Sequence, residues 1–120
     1  MHVLSSGILE LMGLLSGIRV VEVGVWHAGP GAGAILGDMG ADVIKVETFE
    51  GDPERHFGAF GPMASTSEAH IENWSGVYEF SNRNKRSICL DLTNPVGREA
   101  FERLIATADV VTENFKPGTM

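Results

Sequence analysis

Apolar positions organise the chain most clearly over residues 18–47. Ile18, Val20, Val21 and Val23 run up to Gly24, and a short apolar run bounded by glycine predicts a buried strand. A turn-rich stretch follows over residues 25–31. Ala32, Ile35, Leu36 and Met39 then recur at i, i+3, i+4 and i+7, which predicts one face of a helix. Gly40 stands where a helix-ending glycine belongs, because glycine accepts positive φ without a Cβ clash. Val43, Ile44 and Val46 predict a second strand. Strand, helix and strand in one span predict a βαβ crossover. Open α/β sheets bind ligands at the carboxyl ends of such strands, so residues 24–31 are the first place to look for chemistry.

The pattern lapses over residues 48–82, which carry Gly51, Pro53, Gly58, Gly61 and Pro62. A loop that long is expected to be functional or packed against something further. Within it, residues 75–80 suit a turn or two of helix, with Trp74 and Tyr78 sharing a face. Ile88, Leu90 and Leu92 alternate and predict a strand. Asn94-Pro95 reads as a helix start, Asn as cap and Pro at the first helical position. Val96, Ala100, Phe101, Leu104, Ile105 and Ala108 continue it as an apolar stripe, and residues 109–112 predict a last strand. Two βαβ units predict an α/β fold, an open and mostly parallel Rossmann-like sheet. A doubly wound domain would continue past Met120, so residues 15–120 read as the incomplete N-terminal part of a large domain. Residues 1–14 read as an N-terminal arm or short helix.

Composition narrows the function. Nine Lys and Arg against sixteen Asp and Glu give a formal charge of −7, which argues against nucleic acid as a partner. A single cysteine excludes an intrachain disulfide and fits a reducing, cytoplasmic compartment. No apolar run reaches transmembrane length. His2, His56 and His70 have no partner at ligand spacing, so no metal is expected. Cys89 alternates with strand residues and reads as a small core residue. Asp38, Asp42 and Asp109, at helix or strand starts, read as structural or solvated.

Three stretches could carry chemistry. Residues 29–34 match G-x-G-x-x-A between a strand and a helix, with Glu47 ending the next strand, as in a dinucleotide fingerprint. Against this, the loop after Gly24 is long and Pro30 removes one N–H from the helix start. Dinucleotide binding and simple close packing of the helix both remain open. The second stretch holds Arg83, Lys85 and Arg86 within four residues, a local excess that suits an anionic ligand with several phosphates or a solvated loop. In the third, Asn114, Phe115 and Lys116 follow a predicted strand, where Asn can read a base or ribose edge, Phe can stack and Lys can meet a phosphate.

Together these motifs are familiar. LSGIRVVEVG (15–24), AGPGAGAILGDMGADVIKVE (28–47), GDPERHFG (51–58), NRNKRSICLDLTNPVGREAFERL (82–104) and ADVVTENFKPGTM (108–120) resemble the start of the family III CoA-transferases, the CaiB/BaiF group. That family includes formyl-CoA transferases and is related to the α-methylacyl-CoA racemases. The resemblance covers about residues 14–120, and the long segment before residues 84–87 is more like the transferases than the racemases. It implies coenzyme A in place of NAD as the ligand, a carboxylic acid acceptor and an interlocked homodimer. Carried over by position, Trp26, His27 and Ala28 match the family's first CoA-contacting turn. Leu90, Asp91, Leu92 and Thr93, with Asn114, Phe115 and Lys116, match the segments that hold the adenosine end. Arg83, Lys85 and Arg86 are the candidate phosphate contacts. Thr48 and Thr93 stand where some members carry basic residues. The resemblance further implies an aspartyl-CoA intermediate on an aspartate downstream of Met120, and Glu47 loses its ribose role.

Overall fold

The computed structural model describes residues 13–56 and 75–120. Four strands form one parallel sheet in the order β3-β2-β1-β4: β1 Arg19–Glu22, β2 Asp42–Glu47, β3 Lys85–Cys89 and β4 Val110–Thr112. This is the order of half a doubly wound sheet. Helix α1, Ala28–Asp38, joins β1 to β2. A short 3₁₀ helix, Pro53–His56, and α2, Gly76–Asn82, precede β3. Helix α3, Pro95–Ile105, crosses from β3 at one edge to β4 at the other. The expected arm over residues 1–14 falls almost wholly outside the described residues, as does Trp74. Among the described residues no helix is long and apolar enough to cross a membrane.

Alternation along the strands sends side chains to two faces. Val21, Val23 and Val46 meet Phe101 of α3, with Leu104, Ile105 and Ala108 packed alongside. Val20 and Val43 meet Ala41, with Leu15, Ile18 and Leu36 on the α1 side. Asn94 caps α3 by accepting the Val96 N–H at 2.9 Å, and Pro95 follows it. Helix α1 ends in a Schellman turn: Gly40, at φ +97°, donates to the Gly37 carbonyl, and Ala41 donates to that of Leu36.

Helix α1 departs from expectation in two ways. It begins at Ala28, so Gly29, Pro30 and Gly31 form its first turn and not a loop before it. Its buried face is Gly29, Pro30, Gly33 and Ala34, whereas Ala32, Ile35 and Met39 are exposed. The helix lies so close to the sheet that only small residues fit between: a Cβ on Gly33 would overlap the Glu22 carboxylate. The expectation for Cys89 also fails. It is exposed, because β3 is an edge strand with only its first residue half-buried. Val96 is exposed too, so the apolar stripe of α3 begins at its second turn.

Candidate functional site

A cleft of about 630 Å³ opens at the carboxyl ends of β1, β2 and β3. Residues 23–25 form one wall, residues 45–52 the floor and residues 90–93 the opposite wall, with Phe115, Thr119 and Met120 at the mouth. Leu90, Asp91, Leu92, Thr93 and Phe115, all expected at the site, line it. Asp91 is bent inward on its own chain: its Oδ1 accepts from both the amide and the hydroxyl of Thr93. Those bonds hold its carboxyl below the usual range.

Trp26, His27 and Ala28 follow the first wall in sequence and lead into α1, but they do not line the cleft. Trp26 adopts φ +61°. His27 is the helix N-cap residue, and its ring stacks on Phe80 and meets the Ser81 hydroxyl through Nδ1 at 2.8 Å. The buried Glu54 carboxylate lies 3.6 Å from the same nitrogen. Asn114 does not line the cleft. Its side-chain amide is spent on Val25, accepting from the backbone N–H at 3.0 Å and donating to the carbonyl at 2.8 Å. Lys116 is exposed beyond it.

The basic stretch lies apart from the cleft. Arg83, Lys85 and Arg86 neither line the cleft nor converge. Arg83 pairs with Asp38, and Arg86 with Asp42, at the end of the sheet where β2 and β3 begin. Both pairs hold their aspartates' carboxyls down, as befits the structural reading of those acids. Lys85 is buried and spends its ammonium on Glu22 at 2.8 Å, the Pro30 carbonyl at 2.6 Å and Asn82 at 3.1 Å. Burial lowers its pKa despite those partners.

Beneath the cleft floor lies a charge cluster that strand periodicity did not reveal. Glu22 and Lys45 stand side by side on neighbouring strands, fully buried. Lys45 Nζ reaches Glu22 at 3.1 Å, Asp52 at 2.8 Å and the Gly24 carbonyl at 2.9 Å. The available signal was a charged residue within each of two apolar strands. The glycine pattern acquires a physical reason here. Gly33 makes room for Glu22, and Gly29 for Asn114, since a Cβ there would lie 3.1 Å from the Asn114 amide. Gly29 and Gly33 therefore serve packing, whereas a Cβ on Gly31, the second glycine of the G-x-G-x-x-A pattern, would meet nothing within 4 Å.

Glu47 is structural. Burial raises its pKa, but hydrogen bonds from Arg55, the Asp52 amide and the Tyr78 hydroxyl outweigh this and bring it to about 2. Burial and that carboxylate in turn push the Tyr78 phenol up. A carboxylate held below its ordinary 4.5 stabilises the fold fully above pH 4.5, and the contribution fades as pH falls towards 2. The shift corresponds to about 3 kcal/mol. Urea unfolding of wild type and Glu47→Gln should therefore differ most above pH 5, narrow as pH falls and converge only near pH 2. A gap unchanged across that range would assign the stability to other groups.

Among the described residues no cluster of His, Cys, Asp and Glu could hold a metal ion. Comparison with known proteins supplies the rest. The succinate–glutarate CoA-transferase of Agrobacterium fabrum is 53% identical over 103 residues, 85% of this chain and 25% of that protein. The succinyl-CoA:mesaconate CoA-transferase of Haloarcula hispanica is 45% identical over 109 residues, 91% of this chain and 26% of that protein. The crystal structure of a CaiB/BaiF family protein from Brucella suis superposes with a TM-score of 0.75 at 43% identity, covering 89% of this chain and 27% of that one. The chain thus spans about a quarter of the length of the relatives it matches. Residues 15–120 match the defining pattern of one family over nearly their whole extent, and the chain belongs to CoA-transferase family III.

Proposed function

We propose that this chain is the N-terminal part of an acyl-CoA:carboxylate CoA-transferase and carries part of its CoA site. The observation that carries the reading is the cleft at the strand ends, with residues 23–25, which lead into the turn at Trp26, on one side and residues 90–93 on the other. In this reading Trp26, His27 and Ala28 contact CoA near its reactive end, and Leu90, Asp91, Leu92, Thr93 and Phe115 receive the adenosine. Lys116, exposed at the rim, meets a phosphate. Asn114 acts by bracing the first turn, since its amide is already committed. The nucleophile is an aspartate in a segment downstream of Met120. Its carboxylate attacks the thioester and expels CoA thiolate, leaving a mixed anhydride. The thiolate then attacks the aspartyl carbonyl, releasing the first acid and forming an aspartyl-CoA thioester. The acceptor carboxylate then attacks the aspartyl-CoA thioester and expels CoA thiolate, and the thiolate attacks the acceptor's carbonyl in the new mixed anhydride, releasing the new acyl-CoA and the free aspartate. Covalent catalysis of this kind replaces one difficult exchange by several easier ones. The complete protein works as an interlocked homodimer in the cytoplasm.

The complete protein should be stabilised by CoA and not by NAD in a thermal-shift titration. It should also move CoA from succinyl-CoA to a dicarboxylic acid such as glutarate. Stabilisation by NAD alone, without transfer, would overturn the reading.

A further inference from the structure

The turn between β1 and α1 is gripped from three sides. Lys45 of β2 donates to the Gly24 carbonyl, Asn114 after β4 takes both backbone groups of Val25, and Asp52 accepts the Trp26 N–H at 3.3 Å. Trp26 sits at φ +61°, a region that costs a bulky residue free energy and persists only where surroundings enforce it. Asp52 is the side chain bonded to that residue's amide, and it is itself fixed. It is 1% exposed, its Oδ2 lies 2.8 Å from Lys45 Nζ, its Oδ1 accepts the Glu54 N–H at 2.9 Å, and its own amide donates to Glu47 at 2.9 Å. Opening the short helix at residues 53–56 would need only the bond to Glu54. The further bond to Trp26 ties the cleft floor to its wall.

Resting on the CoA-transferase reading, we propose that Asp52 is a positioning residue of the acyl-CoA site. It holds Trp26 in the left-handed conformation and so presets the turn at residues 25–28 before substrate arrives. A turn ordered in advance loses no conformational freedom on binding, and the gain appears as affinity.

In the complete protein, Asp52→Ala should raise KM for acyl-CoA at least tenfold while kcat changes less than threefold. Asp52→Asn keeps a carbonyl oxygen for the Trp26 and Glu54 amides and replaces the oxygen facing Lys45 with a neutral NH2 that cannot accept from it. Its melting temperature should fall while KM stays within threefold of wild type. A merely structural role would make KM follow stability, so an Asp52→Asn KM that rises tenfold, or an Asp52→Ala KM that does not move, overturns the proposal. Should Asp52→Ala fail to fold, hydrogen exchange decides. The Trp26 amide should exchange at least tenfold more slowly than an open loop, in both ligand-free wild type and Asp52→Asn, and loop-like exchange in either overturns the proposal. A wild type that protects this amide yet neither binds nor transfers CoA counts against the functional reading, not against the grip on the turn.

Discussion

Gly33→Ala in the complete protein is expected to destabilise the fold by about 4 kcal/mol or more, from overpacking combined with displacement of a buried charge. In most helices the same substitution would stabilise by up to about 1 kcal/mol, since alanine is the better helix former. The sign reverses here because of what lies beneath. The new methyl would fall on the Glu22 carboxylate, with Lys85 Cε at 3.2 Å as its next neighbour. Neither can step aside cheaply: Glu22 is fully buried, and its oxygens are shared between Lys45 and Lys85. Gly31→Ala is the matched control. It lies in the same helix, and a Cβ there meets nothing within 4 Å. Guanidinium unfolding should show Gly31→Ala unfolding at or above the wild-type midpoint and Gly33→Ala far below it. Equal midpoints would mean that α1 rides higher above the sheet than described.

This contrast also shows where sequence reasoning succeeded and where it stopped. Strands β1 and β2, the capped start of α3 and the glycine end of α1 were legible because each rests on local chemistry: β-branched runs, an Asn-Pro pair and a residue tolerant of positive φ. The third strand lies earlier than its alternation suggested, at Lys85–Cys89, so Leu90 and Leu92 fall past its end. The parallel order followed from the helices between the strands. The buried face of α1 was not legible from periodicity. Ile35 and Leu36 carry the apolar signal, but distance to the sheet selects for small size, and glycine has no place on a hydrophobicity scale that marks it as interior. Likewise Arg83, Lys85 and Arg86 formed one cluster in sequence, yet Arg83 ends a helix, Lys85 and Arg86 point to opposite faces of β3, and each found a different acid. Of the candidate site, residues 90–93 and Phe115 line the cleft because they follow the ends of β3 and β4. Asp52 stood out only as part of the GDPERHFG stretch, and its partners come from Trp26, Lys45 and Glu47, contacts that no local pattern encodes.

Lys45→Met should be the other severe substitution, costing about 3–5 kcal/mol, because removing one member of a buried ion pair strands its partners. Four charges balance here in wild type: Glu22 and Asp52 against Lys45 and Lys85, all with side chains buried. Methionine matches the length of the lysine stem but leaves two carboxylates facing one ammonium, and it strips the Gly24 carbonyl of its donor. If charge imbalance dominates this loss, neutralising one acid should repair it. Glu22→Gln added to Lys45→Met restores one negative group against one positive and keeps a side-chain oxygen for Lys85. The double variant should recover at least half of the stability lost by the single one, measured by guanidinium unfolding of the complete protein at pH 7. A double variant no more stable than Lys45→Met alone would put the cost in the lost donor to Gly24 and not in the charge. In that case the turn leading into Trp26, and with it the wall of the cleft, would be what Lys45 chiefly supports.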